Sequence, residues 1–122
     1  MAKSHYNFSC FMFKVIMKEN KFQSKFIKEL KTEFPGCIVL KNDANYIQGI
    51  PDLLILYKKY WAALECKRSK KASHRPNQDY YISKMNGMSF ASFVYPENKE
   101  EILDELQRTF RVRRSSRVPI SK

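Results

Sequence analysis

From Lys18 to Phe34 apolar residues recur at helical spacing, with Phe22, Phe26, Ile27, Leu30 and Phe34 on one stripe. Pro35-Gly36 ends that helix, because proline disfavours helical geometry in the residue before it and glycine suits the exit turn. Cys37-Ile38-Val39-Leu40 reads as a short buried strand, and a polar loop follows from Lys41 to Gln48. A strand from Asp52 to Tyr57, a turn at Lys58-Lys59-Tyr60 and a returning strand from Trp61 to Lys67 form a hairpin. After a basic loop from Arg68 to Pro76, a second helix begins near Asn77, buries Tyr81, Ile82 and Met85, and stops at Asn86-Gly87. Ser89 to Tyr95 is a fourth strand, broken by Pro96. A third helix runs from Glu97 to Phe110 with Ile102, Leu103, Leu106 and Phe110 turned inward. This order predicts an α/β domain with one central mixed sheet of about four strands, flanked by helices.

The segments outside this pattern divide the chain into three parts. Residues 1–17 form an aromatic-rich N-terminal extension, interrupted by Lys14 and lacking a small-residue cleavage site, so a signal peptide is not expected. Met17-Lys18-Glu19-Asn20 has the look of a natural start, and the extension before it is expected to add a strand or an arm. Residues 18–110 form the folded domain. The basic tail, 111–122, carries Arg111, Arg113, Arg114, Arg117 and Lys122 without an acid, and reads either as a nucleic-acid-binding arm or as a disordered segment. No apolar run approaches the ~20 residues of a membrane span.

Composition narrows the partner. Lys and Arg number 23 against 12 Asp and Glu, a formal net charge of +11, in a chain whose 43% hydrophobic content suits a folded protein. Nucleic acid is the obvious polyanion for such a surface. Cys10, Cys37 and Cys66 are scattered, with no CxxC and only His5 and His74 as histidines, so neither a disulfide framework nor structural zinc is expected. Reduced thiols point to the cytoplasm.

Candidate chemistry lies in the hairpin. Alternation along a strand puts Glu65 and Lys67 on one face and Cys66 on the other. Asp52 opens the neighbouring strand after Pro51, so the hairpin brings Asp52 and Glu65 within reach of one cation. Hard divalent ions such as Mg²⁺ take one or two carboxylates and keep several waters, and Mn²⁺ substitutes for Mg²⁺ in such sites. An ion held there lowers the pKa of a bound water and neutralises phosphate charge, while Lys67 positions the water or stabilises transition-state charge. The Cys66 backbone carbonyl is a further oxygen ligand. Each residue alone reads as an ordinary strand or turn position. The joint spacing does not.

Gly49-Ile50-Pro51-Asp52-Leu53, Glu65-Cys66-Lys67 and Gln78 together resemble the PD-(D/E)XK nuclease superfamily, specifically its VRR-NUC branch, over about Glu19 to Phe110. The resemblance implies a restriction-endonuclease-like core, metal binding by Asp52 and Glu65, and Lys67 as the catalytic lysine. It also implies that Gln78 supports that lysine or the phosphate. Glu19 is the best match to the family's first-helix glutamate, because at about 100° per residue it falls on the stripe of Phe26 and Leu30. Glu29 points off that stripe and Glu33 sits far along the helix. Stabilisation of an N-terminal acid by the helix dipole accounts for Glu19 equally well. Arg68, Lys70, Lys71, His74 and Arg75, beside the Glu-x-Lys strand, are expected to contact nucleic-acid backbone, with Arg111, Arg113 and Arg114 of the tail.

Members of the branch with little beyond the core resemble phage-type enzymes acting on branched DNA such as Holliday junctions, which would make the compartment the host cytoplasm. Symmetric cleavage of a junction implies a homodimer. A non-catalytic nucleic-acid-binding protein on a nuclease-like core is the alternative, resting on the +11 charge and the arginine tail. An RNA-directed enzyme is excluded by no residue.

Overall fold

A computed structural model describes residues 2–112, with side chains from Cys10 onward. The chain runs α1 (Ala2–Glu33), β1 (Ile38–Lys41), β2 (Leu53–Tyr57), β3 (Tyr60–Cys66), α2 (Pro76–Asn86), β4 (Phe90–Val94), a 3-10 turn at Pro96–Asn98 and α3 (Lys99–Phe110). The sheet has the order β1-β2-β3-β4, with the first two pairings antiparallel and β3–β4 parallel. Among the described residues the fold is α/β with a mixed four-stranded sheet and three α-helices, in the element order read from the sequence. Among the described residues, no helix is long and apolar enough to cross a membrane. All three cysteines are free.

Strand alternation sorts the side chains into two layers. Ala62, Leu64 and Cys66 of β3, Leu53 and Ile55 of β2 and Val94 of β4 meet Phe26, Leu30 and Phe34 of α1 and Ile102, Leu103, Leu106 and Phe110 of α3 in one core cluster. Phe34 and Phe110 pack edge to face, with ring centroids 5.2 Å apart. A Lys99–Glu29 ion pair at 2.8 Å ties α3 to α1 at the half-exposed rim, so Glu29 faces away from the carboxylates of the hairpin. The opposite face carries Trp61, Ala63 and Glu65, and α2 packs there on β3 and β4.

Three local expectations are corrected. The N-terminal extension is neither a strand nor a separate arm, since residues 2–17 continue α1 without a break. The stretch contains no Pro or Gly, and extending a helix already nucleated by its core-packed half costs little. The first strand is not buried, for Ile38 and Leu40 are 56% and 44% exposed. It lies at the sheet edge, where only Val39 packs against the core. In α2, Tyr81, Ile82 and Met85 are half-buried rather than core, because the helix covers β3 and β4 with no further layer above it. By contrast, the inward residues of α3 are those its spacing indicated.

Two glycines shape the loops. Gly36, at φ +90°, turns the chain out of α1 with open space around it. Gly49, at φ +91°, lies against the first turn of α2, where a Cβ would sit 2.7–2.8 Å from Asn77 side-chain and backbone atoms. Gly49→Ala therefore combines left-handed strain with a clash that backbone must absorb, an expected loss of about 2–4 kcal/mol. Gly36→Ala meets strain alone, about 1 kcal/mol. Urea unfolding of both variants checks this ordering, and equal losses would contradict it.

Candidate functional site

The site begins where the β2–β3 ladder ends. Leu53 pairs with Leu64, so Asp52 and Glu65 face each other one step beyond the last regular pair. There the carboxylates take over from backbone carbonyls as acceptors. The Asp52 N–H donates to Glu65 Oε1 at 3.1 Å, and the Cys66 N–H donates to Asp52 Oδ2 at 3.0 Å. Asn42 clamps the entry to β2 from the other side, its side chain donating to the Pro51 carbonyl and its N–H to the Asp52 carbonyl, both at 2.8 Å. Pro51 is buried, and with Asn42 it sets the backbone that aims Asp52.

Lys67 continues the pairing with β4, its N–H donating to the Val94 carbonyl at 2.8 Å. Glu65 and Lys67 share a face, as alternation requires, and among the described residues they are the buried charged side chains, at 5% and 7% exposure. Gln78 stands between them. Its Nε2 donates to Glu65 Oε2 at 3.0 Å, while its Oε1 accepts from Lys67 Nζ at 2.9 Å and from the Arg75 N–H at 3.1 Å. The last bond is half of a capping box at the start of α2, which Pro76 opens, so the residue that caps the helix also joins the carboxylate to the lysine.

Electrostatics at the site are those of crowded acids. Burial, and then the neighbouring Asp52 charge, push the Glu65 carboxyl up to about 8 from 4.5. Burial raises Asp52 as well, against the Cys66 N–H and Lys67, which favour its ionised form. Glu19 reaches the same locality from α1; burial raises its pKa, the nearby Asp52 adds to the rise, and Lys67 and Arg68 oppose it. On the far face of β3, burial and the same three carboxylates keep the Cys66 thiol protonated, with Gln23 of α1 beside it. On the carboxylate side Cys66 therefore offers only backbone groups, its N–H to Asp52 and its carbonyl.

The donor set fits a hard divalent ion. A buried Glu65 carboxyl, raised by burial and then by the charge of the half-buried Asp52, is relieved by a cation, and Mg²⁺ needs no more than one or two carboxylates. Among the described residues no group of three His, Cys, Asp or Glu could hold an ion by itself, so backbone oxygen and water would complete the shell around Asp52 and Glu65. Two clefts open on the carboxylates. The smaller, about 180 Å³, lies against the 44–50 loop and Asp52; the larger, about 320 Å³, lies against α1 and Lys67. They meet at Glu65, Arg75 and Gln78.

The basic residues are dispersed. Arg68 and Arg75 line the larger cleft. Lys70 and Lys71 are exposed on the loop, which the Lys70 N–H fastens to Glu97 at 3.2 Å. His74 stacks on Phe93 with ring centroids 3.8 Å apart, and its Nδ1 lies 3.1 Å from Asp79 Oδ1, so its ring anchors the loop. Arg111 is not brought to the site. It caps α3 at φ 60° and lies over Tyr60, at the other end of β3 from Glu65. Arg113 and Arg114 lie outside the described residues. Asn42 was missed by sequence reasoning, since nothing marks a loop asparagine as a clamp until its acceptor is located. No protein-family model matches the chain, and comparison with curated proteins and with solved structures likewise finds no match.

The Glu65 shift has a consequence for stability. The unfolded chain releases this proton near 4.5, whereas the folded protein holds it to about 8, so the folded state binds more protons in between. Stability of the metal-free protein is then full below 4.5 and falls as pH rises through that window, with Asp52 acting in the same direction. Urea midpoints across the window should decline, Glu65→Gln should flatten the decline, and millimolar Mg²⁺ should oppose it by favouring the ionised pair. A flat or rising profile for the metal-free wild type would contradict the assignment.

Proposed function

We propose that the chain is a divalent-metal-dependent endonuclease that hydrolyses phosphodiester bonds in DNA, on a restriction-endonuclease-like core. The observation that carries this reading is the hydrogen-bonded series Asp52–Glu65–Gln78–Lys67 at the ends of two paired strands. It joins two cation-binding carboxylates to a buried ammonium group and opens on clefts that Arg68 and Arg75 line. The net charge of +11 suits a polyanionic substrate.

Asp52 and Glu65 would hold the ion, with the Cys66 carbonyl as a further oxygen and Glu19 as the acid that approaches from α1. When bound, Mg²⁺ or Mn²⁺ supplies Lewis-acid neutralisation of phosphoryl charge and a more acidic water. The rest is done by the protein. Lys67 donates one of its three N–H groups to Gln78 Oε1 and keeps two for non-bridging phosphate oxygens, whose charge grows as water adds to phosphorus. Gln78 holds the ammonium at a fixed height above Glu65, so little reorganisation is needed in the transition state. The P–O bond to the bridging oxygen breaks, that oxygen takes a proton from solvent, and the attacking water gives one up to solvent. The resemblance to phage-type enzymes of the branch points to structure-specific action on branched DNA, and paired cuts at a junction call for a homodimer. The compartment of such an enzyme is the cytoplasm, that of the host for a phage protein.

Labelled four-way junction, flap and linear duplex, incubated with Mg²⁺, Mn²⁺ or EDTA, test the proposal. Cutting should need the metal, and Asp52→Ala, Glu65→Ala and Lys67→Ala should each lose about a hundredfold or more. Cutting that persists in EDTA or survives Asp52→Ala would sink the metal site. Equal cutting of junction and linear duplex would remove the branched preference alone, and salt-sensitive binding without cleavage in either metal would favour the non-catalytic reading.

A further inference from the structure

The larger cleft has two unlike walls. On one side stand Glu65, Lys67 and Gln78; on the other are Met12, Val15 and Ile16 of α1. These three fall at i, i+3 and i+4, on the helix face that continues to Glu19. Because Glu19 is held among Lys67, Asp52 and Arg68, that face is aimed at the site rather than at open solvent. Met12 and Ile16 are nevertheless 41% and 52% exposed, so an apolar wall stands uncovered beside a polar centre. Arg68 and Arg75 lie in the same cleft, and the buried Arg68 Nε has no hydrogen-bond partner in the protein. A buried donor without an acceptor is costly, and an incoming anion would relieve it.

Apolar wall, guanidinium groups and lysine together match the two surfaces of a nucleotide: phosphate for the cations, base face for the wall. A duplex brings only phosphates and sugars to such a cleft, because its base faces are stacked inside. An unpaired nucleotide can turn its base outward and lay it on apolar side chains. We propose that the cleft between α1 and Arg68 is a subsite for an unpaired nucleotide next to the scissile phosphate, so that strands with unpaired nucleotides are the preferred substrate. The word scissile rests on the nuclease reading; the subsite itself is a binding property. The N-terminal half of α1 is thereby a substrate-facing wall, continuous with the helix that carries Glu19.

Binding of the full chain in EDTA separates the two ideas. Fluorescence anisotropy would compare a labelled single-stranded DNA, the same strand with abasic sites, and the matching duplex. Single strand should bind at least tenfold more tightly than duplex, and abasic sites should remove most of that margin. Met12→Ser with Ile16→Ser should bring the ratio of the two affinities close to one, whereas Ile16→Phe, which adds a ring for stacking, should raise it. Both positions are half-open to solvent, and circular dichroism verifies that the variants fold. A wild-type ratio near one overturns the subsite, and so does a double variant that keeps the wild-type ratio. It is equally overturned if the double variant changes only the sedimentation of the protein, which would mean that the wall docks a second copy. Absence of cleavage in Mg²⁺ or Mn²⁺ would instead count against the nuclease reading, because these affinities are read with no metal present.

Discussion

A buried and a half-buried carboxylate, side by side at the end of a hairpin, are the constraint around which this molecule is arranged. Asp52 and Glu65 stand where the β2–β3 ladder would gain one more pair, and each accepts an N–H from the opposite strand. The exchange keeps the strands together where regular pairing stops. Its cost is a pair of acids that burial pushes towards protonation, Glu65 further so by the Asp52 charge. Everything nearby manages that cost. The Cys66 N–H favours ionised Asp52, Lys67 offers an opposite charge, and Gln78 satisfies the oxygen of Glu65 that faces α2.

The two faces of the sheet divide the labour. The α1 and α3 side buries large residues, with Phe26, Phe34, Leu103, Leu106 and Phe110 fully or almost fully shielded, and supplies most of the apolar burial. The α2 side is thinner. Ala63 and Ala91, paired neighbours in β3 and β4, put two small side chains under the helix, so α2 can lie close to the sheet. That closeness lets the short amide of Gln78 touch both Glu65 and Lys67, and the Gly49–Asn77 contact holds the Pro51-Asp52 loop against the same helix turn. A thick core on one side supports a site on the other.

Charge is distributed with the same economy. The Lys99–Glu29 pair and the His74–Asp79 contact are rim or loop fasteners, and partly exposed pairs of this kind contribute little stability. Lys67, Arg68 and Arg75 converge because the strand end, the basic loop and the first turn of α2 all border one cleft. Arg111, for all its place in a basic run, is held over Tyr60 at the other end of β3. Membership of a basic run did not predict position.

Much of the architecture was legible from the order of residues. The stripe Phe26, Leu30, Phe34 and the stripe Ile102, Leu103, Leu106, Phe110 specify buried helix faces, and strict alternation separates Glu65 and Lys67 from Cys66. Both periodicities are local consequences of backbone geometry, so they survive without tertiary knowledge. Tertiary structure alone decided what those periods leave open. Ile38-Val39-Leu40 reads as buried, yet a strand's partners determine whether it is central or edge, and β1 has β2 alone beside it. Residues 2–17 carry no clear amphipathic stripe, yet they stay helical because the core-packed half of α1 has already met the cost of nucleation. The hairpin feature, Asp52 opposite Glu65 with Lys67 nearby, was set by the sequence through strand pairing. That Gln78 joins acid to lysine, that Asn42 clamps Asp52, and that Met12, Val15 and Ile16 stand across the cleft depend on distances between elements, which no pattern along one chain encodes.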